Sequence, residues 1–130
     1  FEWRKDGKLS TPFYFQLEGG EPFAFAGLWD DWENKGVSSQ PGLPGLTTCT
    51  LITTDANEDV KPVHPRMPVV LRKEKMWDWL EESDPRFLMS LLKPLPAGSL
   101  SAHQVSRDVN TPQSQGEYLI EPVGKVLPGF

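Results

Sequence analysis

The sequence has little of the chemistry on which many small proteins depend. Cys49 is the single cysteine, so no internal disulfide can form, and a reducing, cytoplasmic setting is the simplest expectation. No run approaches the roughly 20 apolar residues of a membrane span. P-loop, GxGxxG, HExxH and CxxC motifs are missing, which excludes the commonest nucleotide and zinc signatures. We therefore expect no metal, no cofactor and no membrane association.

Positive charge is also in the minority. The chain has 13 Lys and Arg against 18 Asp and Glu, for a net charge of −5. Phosphate neutralisation depends on Lys and Arg, so this balance argues against non-specific binding of nucleic acid through bulk charge. Any nucleic-acid site is expected to be a local groove.

Turn-forming residues are abundant. The 130 residues fit one domain, 1–130, and include 13 Pro and 11 Gly, which favour many short elements over a helical bundle. Alternating aromatic residues predict strands at 12–17 and 22–29, joined as a hairpin. The polar segment 30–45 is predicted to be a surface loop. A β-branched run predicts a buried strand at 47–54.

The other predicted elements complete an α+β fold. They are an opening strand that runs into an Asp6-Gly7 turn, strands at 67–71, 100–106 and 117–123, and helices at 55–61, 73–82 and 84–92.

The stretch VHPRMPVVL places His64 and Arg66 two residues apart, ahead of an apolar strand. One interpretation is a loop histidine beside an arginine that pairs with an acidic neighbour. The functional alternative is an acid–base imidazole beside a guanidinium that binds phosphate, because the planar donors of arginine contact two oxygens at once.

The stretch FEW places Glu2 between two aromatic residues, Phe1 and Trp3. Glu2 is either a solvated edge carboxylate or a proton-transfer group held beside apolar walls. Trp3 offers a stacking platform for a base.

Three other residues have simpler interpretations. Cys49 lies within the predicted buried strand and is expected to act as a small hydrophobe. Thr53 is ordinarily a strand former, with a phosphate contact as the less favoured interpretation. His103 is expected to be a satisfied core or edge histidine.

Four stretches in order resemble the SRAP family, the SOS-response-associated peptidase domain. They are FEWRKDGK, the strands PFYF and FAFAGLWDDW, the long segment CTLITTDANEDVKPVHPRMPVVL, and HQVSRDVNTPQSQGEYLIEPV near the end. The resemblance covers essentially the whole chain. It implies an α+β fold of mainly antiparallel strands, in a curved or barrel-like sheet with two or three short helices.

The resemblance also implies a chemistry. An N-terminal Cys condenses with the aldehyde of an abasic site in single-stranded DNA and closes a thiazolidine, which shields the lesion as a DNA–protein crosslink. Glu2 and His64 match the catalytic positions, Glu2 in proton transfer and His64 at the sugar or its phosphate. Trp3, Thr53 and Arg66 match positions that contact DNA. The expected partner is abasic single-stranded DNA, bound by a monomer in a bacterial cytoplasm, close to the nucleoid.

The chain departs from the family pattern at its first residue, which is Phe1 and not Cys. We therefore expect residues 1–130 to be the C-terminal part of a SRAP-like domain, incomplete and inactive without an earlier segment that carries the nucleophile. Two alternatives stay open: a cysteine-type peptidase on the same scaffold, and a binding module without chemistry.

Overall fold

The protein is built mainly from short antiparallel strands, and the computed structural model describes residues 1–32 and 46–124. The strands are β1 (Glu2–Asp6), β2 (Leu9–Leu17), β3 (Ala24–Phe25), β4 (Gly27–Trp32), β5 (Leu46–Leu51), β6 (Thr53–Asp55), β7 (Arg66–Pro68), β8 (Val70–Leu71) and β9 (Leu100–Gln104). The α-helices are α1 (Met76–Glu81) and α2 (Pro85–Leu91), and 3-10 turns span Lys73–Lys75, Arg107–Asn110 and Glu117–Ile120. The strand pairings in these residues are all antiparallel, which confirms the α+β prediction.

The longest strand, β2, is the centre of a three-stranded sheet in the order β1-β2-β9. β1 and β2 are joined through Gly7, whose φ of 60° suits a residue without a side chain. Phe13 and Phe15 lie on one face of β2, and Phe13 is only 1% exposed. This face packs inward, and the predicted strands at 12–17 and 100–106 are confirmed.

Three buried backbone hydrogen bonds connect the remaining strands. Ala26 N donates to Val69 O, Val69 N donates to Ile52 O, and Ile52 N donates to Ala26 O, each at a distance of 2.9 Å. Each of these residues separates two strands, and the pairing partner changes there, which gives the pairs β3–β8, β4–β5 and β6–β7. The predicted continuous strands at 22–29, 47–54 and 67–71 are thus each interrupted at one residue of this junction.

Two strand predictions are wrong for reasons of pairing. The strands at 12–17 and 22–29 do not form a hairpin, because β2 pairs with β1 and β9 while β3 pairs with β8. The strand predicted as buried at 47–54 includes β5, which is exposed along its whole length because β4 is its one strand partner in the described residues. Within residues 1–32 and 46–124 the sheets do not close into a barrel.

The helices predicted at 73–82 and 84–92 are confirmed. Asp84 caps α2 by accepting a hydrogen bond from Arg86 N at 3.0 Å, and Pro85 occupies the first turn. The helix predicted at 55–61 is instead a set of hydrogen-bonded turns, because Asp55 stays paired with Arg66 at the end of β6. The strand predicted at 117–123 is a 3-10 turn followed by irregular chain.

The loop predicted at 30–45 is tested only at its start. Residues 30–32 continue β4, and the remainder of that prediction lies outside the described residues. Among the described helices, none is both long enough and apolar enough to span a membrane.

Candidate functional site

Glu2 lies on the inward face of the three-stranded sheet, opposite Phe13 in the β1–β2 register. Its side chain is 24% exposed and lines a cavity of about 60 Å³. The other described residues around this cavity are apolar: Phe1, Phe15, Phe23, Phe25, Val60, Met67, Pro68, Val70 and Leu100. The structure thus places the Glu2 carboxyl group beside apolar walls and not on a fully solvated edge.

His64 reaches the same place from the other side. Its Nδ1 atom lies 3.9 Å from Glu2 Oε2, and its side chain is 41% exposed. Nδ1 is also 2.8 Å from Arg66 O and 3.2 Å from Arg66 N. Nδ1 donates to Arg66 O in one neutral tautomer and accepts from Arg66 N in the other, so the contacts with Arg66 fit either tautomer. The structure therefore brings the carboxyl and imidazole groups together at a solvent-accessible position.

A buried polar network fixes the turn that carries His64. Asp59 accepts hydrogen bonds from Gly98 N at 2.8 Å and Leu100 N at 3.0 Å. Asn57 donates to Asp59 at 3.2 Å and to Leu95 O at 3.1 Å, and its side-chain oxygen accepts from Val60 N. His64 N then donates to Val60 O at 2.9 Å. The network therefore ties the turn that carries His64 to the start of β9. β9 belongs to the same three-stranded sheet as β1, the strand that carries Glu2.

Sequence reasoning missed Asn57 and Asp59. They are the buried polar and charged residues of the described chain, at 8% and 9% exposure. Buried polar groups require partners, so they mark a fixed point of the fold. The available signal was the string DANED, which places Asn57 and Asp59 two residues apart before an apolar residue.

Arg66 and Thr53 contact each other on the β6–β7 pair. Arg66 Nη2 donates to Thr53 O at 2.8 Å and to Thr53 Oγ1 at 3.1 Å. Arg66 Nη1 lies 2.7 Å from Asp55 Oδ1, so the guanidinium has an acidic partner in this state. Asp55 is 89% exposed, and exposed ion pairs contribute only about 0–1 kcal/mol. Breaking this ion pair would therefore cost little free energy.

Trp3 lies on the opposite face of β1 from Glu2. Its Nε1 donates to Asn110 Oδ1 at 2.6 Å, and its ring centroid is 6.5 Å from that of Phe1. The Phe1 ring in turn contacts Tyr14, and Tyr14 contacts His103, whose Nε2 is 2.7 Å from Ile120 O. Trp3 is thus outside the cavity, and His103 is a satisfied edge histidine, as the simpler interpretation held.

Cys49 is exposed on β5, and the prediction that it is a buried hydrophobe is wrong. It is opposite Trp29 in the β4–β5 pair, which has no covering layer in the described residues. In the described part of the chain, no histidine lines the surface around Cys49, and no cluster of three His, Cys, Asp or Glu side chains could hold a metal.

The sequence matches the model of a known protein family. A model of the SOS response associated peptidase (SRAP) family matches residues 1–112. The chain belongs to the SRAP family. The resemblance inferred from the four sequence stretches is therefore confirmed.

Individual SRAP relatives agree with this assignment. The chain is 41% identical over 124 residues to the abasic site processing protein YoqW of Bacillus subtilis, covering 93% of this chain and 53% of that protein. It is 29% identical over 126 residues to the abasic site processing protein YedK of Escherichia coli, covering 95% and 54%. The chain thus spans about half the length of the curated relatives it matches.

A solved structure shares the fold. A crystal structure of a protein from Bacteroides thetaiotaomicron superposes with a TM-score of 0.80 at 27% identity, covering 95% of this chain and 53% of that one. The short antiparallel strand pairs and the two helices between β8 and β9 therefore belong to a fold that another protein also adopts.

Proposed function

We propose that the protein recognises abasic sites in single-stranded DNA and shields them through a covalent thiazolidine crosslink. The observation that carries the proposal is the approach of Glu2 and His64 to within 3.9 Å at a cavity with apolar walls. The chain's SRAP membership and relatives named abasic site processing proteins support it.

The proposed chemistry needs a group that both gives and takes a proton. The amine of an N-terminal Cys adds to the aldehyde of the ring-opened sugar, and loss of water gives a Schiff base. The thiol then adds to the carbon–nitrogen double bond and closes the thiazolidine, with one proton transferred from sulfur to nitrogen. Glu2 protonates the departing hydroxyl as water leaves and handles the protons again on reversal. His64 acts at the sugar or its phosphate.

The nucleophile in this proposal lies outside residues 1–130. Cys49 is the single cysteine of residues 1–130, and it lies on the exposed β4–β5 pair, while Glu2 lies on the three-stranded sheet. We propose that this chain is the C-terminal part of one SRAP domain. The coverage of about half of its relatives supports this, as does the exposure of Leu28, Trp29, Leu46 and Leu51 on a two-stranded pair.

Arg66 and Thr53 are the proposed phosphate contacts, since both lie on the β6–β7 pair, whose two strands are joined by the turn that carries His64. Trp3 is the proposed stacking contact for an unpaired base on the outer face of β1. A monomer in the bacterial cytoplasm fits a substrate that is a transient single strand of chromosomal DNA.

The test is adduct formation by the complete gene product on an abasic single-stranded oligonucleotide, read as a band that survives denaturing electrophoresis. We expect the parent protein to form the adduct, and Glu2→Gln to form it on the order of 100-fold more slowly. Glu58→Gln is the matched control, because the Glu58 side chain is 76% exposed and does not line the cavity. No adduct with the parent protein would refute the proposal.

A further inference from the structure

A second depression, separate from the Glu2 cavity, has a basic lining. It has a volume of about 300 Å³ and lies between β8 and the chain that follows α2. Its cationic residues are Arg72, Lys75 and Lys93; the others are Val70, Leu71, Ser90, Leu91, Pro94, Leu95 and Pro96. We refer to it as the basic cleft.

The charge of the basic cleft is opposite to that of the chain. Acidic residues outnumber basic ones by 18 to 13 over the sequence, yet no described residue that lines the cleft is acidic. Lys75 has a partner, since its Nζ lies 2.8 Å from Asp78 Oδ2 and 5.4 Å from the centroid of the Phe87 ring. Arg72 and Lys93 have no acidic partner within 4 Å among the described residues. Two uncompensated cations therefore border one concave surface.

The composition of the cleft selects for phosphate. A guanidinium binds two oxygens of a phosphate with its parallel donors, and a lysine ammonium adds a compact charge. The remaining walls are largely apolar, and a low-dielectric wall strengthens the attraction between these cations and an anion. Pro94 and Pro96 restrict the backbone of one wall, so the site loses little freedom on binding.

We propose that the basic cleft binds phosphate groups of the DNA strand beyond the lesion. Val70 lines both the basic cleft and the Glu2 cavity, so the two sites are neighbours across β8. A strand whose abasic sugar reaches Glu2 and His64 has further phosphates on each side of it. This inference rests on the proposed function for the identity of the ligand, whereas the phosphate chemistry follows from the cleft alone.

The experiment measures binding of undamaged oligothymidylate to the complete gene product by fluorescence anisotropy at several salt concentrations. The test variant is Arg72→Gln with Lys93→Gln, and the control is Lys73→Gln with Arg86→Gln, which removes the same charge from the same region outside the cleft. We expect the test variant to bind about tenfold more weakly, with a salt slope smaller by about 1.4, because each contact to a single strand contributes about 0.7. The control should match the parent within twofold.

A parallel titration with inorganic phosphate, measured by calorimetry, distinguishes a phosphate group of DNA from a free phosphate anion as the ligand of the cleft. Loss of DNA affinity in the test variant alone supports a strand site. Unchanged DNA affinity with loss of phosphate binding overturns the strand assignment and assigns the cleft to a free phosphate anion. Equal behaviour of both variants in both titrations overturns the site. Undamaged DNA cannot form the crosslink, so these outcomes are independent of whether the parent protein crosslinks abasic DNA.

Discussion

The turn that carries His64 and the β4–β5 pair are both short segments, but they differ in how firmly other residues bind them to the core. Residues 56–63 are bound to the core through Asn57 and Asp59, above a cluster of Val60, Met67, Val70, Leu95 and Leu100. The β4–β5 pair is held beyond its own ladder at one end, where Trp79 Nε1 donates to Gly27 O at 3.1 Å. Further along β4, Leu28 and Trp29, which point to opposite faces, are 57% and 71% exposed.

This difference separates a self-sufficient region from one that needs cover. A buried, fully satisfied polar network specifies one geometry, which is what an acid–base pair needs. A two-stranded pair with both faces exposed is at best marginally stable in water. If this chain is the proposed C-terminal part of a SRAP domain, the β4–β5 pair is the surface on which we expect the rest of that domain to pack.

The largest effect is expected from breaking the network under the turn. Asp59→Ala leaves the amides of Gly98 and Leu100 without their acceptor, while the Asn57 side chain keeps Leu95 O. We expect the free energy of unfolding to fall by about 3 kcal/mol, because each buried donor left unpaired costs about 1–3 kcal/mol. Urea unfolding of the complete gene product measures this, with Glu58→Ala as the exposed neighbour for comparison. A loss no larger than that of the control would mean that the turn is held by other contacts.

A smaller effect is expected on the β4–β5 pair. Trp29→Ser should destabilise the complete gene product by about 2 kcal/mol if the rest of the domain buries this indole. Trp77→Ser is the control, since Trp77 is similarly exposed on α1, at 67%, and lies outside that pair. Its loss should stay within about 0.5 kcal/mol. Equal unfolding midpoints for the two variants would remove the distinction between the regions.

The smallest effect is expected at the β6–β7 pair, on the affinity for DNA. Arg66→Ala should reduce the affinity for intact single strands by a few-fold and the salt slope by about 0.7, with little change in the crosslinking rate at saturating DNA. Asp55→Ala should do the reverse and tighten binding, because it frees the guanidinium from its 2.7 Å contact. Anisotropy titrations measure both changes. Identical affinity for Arg66→Ala and the parent protein would contradict the phosphate contact.

Local patterns in the sequence predicted the elements that depend on local physics. The cap Asp84 with Pro85 marked α2, and the aromatic alternation at 12–17 marked β2. The hairpin between 12–17 and 22–29 failed because strand pairing depends on distant residues: β9 and β8 are remote in sequence from their partners. The burial of Cys49 failed for the same reason, since composition cannot show whether a second layer covers a strand.

The candidate site was predictable only in part. The roles of Glu2, His64, Trp3, Thr53 and Arg66 came from the family resemblance, and they stay predictions. The contact between Glu2 and His64 joins residues that are 62 positions apart, and no periodicity could have indicated it. That Arg66 pairs with an acidic neighbour was one of two interpretations, but the sequence did not indicate that the neighbour is Asp55.

The central claim is that Glu2 and His64 act as one unit on the abasic site. A double-mutant cycle on the crosslinking rate tests it, with Glu2→Gln, His64→Gln and both changes together in the complete gene product. If the two groups work on the same proton-transfer step, the double variant should be about as slow as the slower single variant, because groups that act as a unit are not additive. Rates that multiply, with each change slowing the reaction by its own full factor in the presence of the other, would contradict this account.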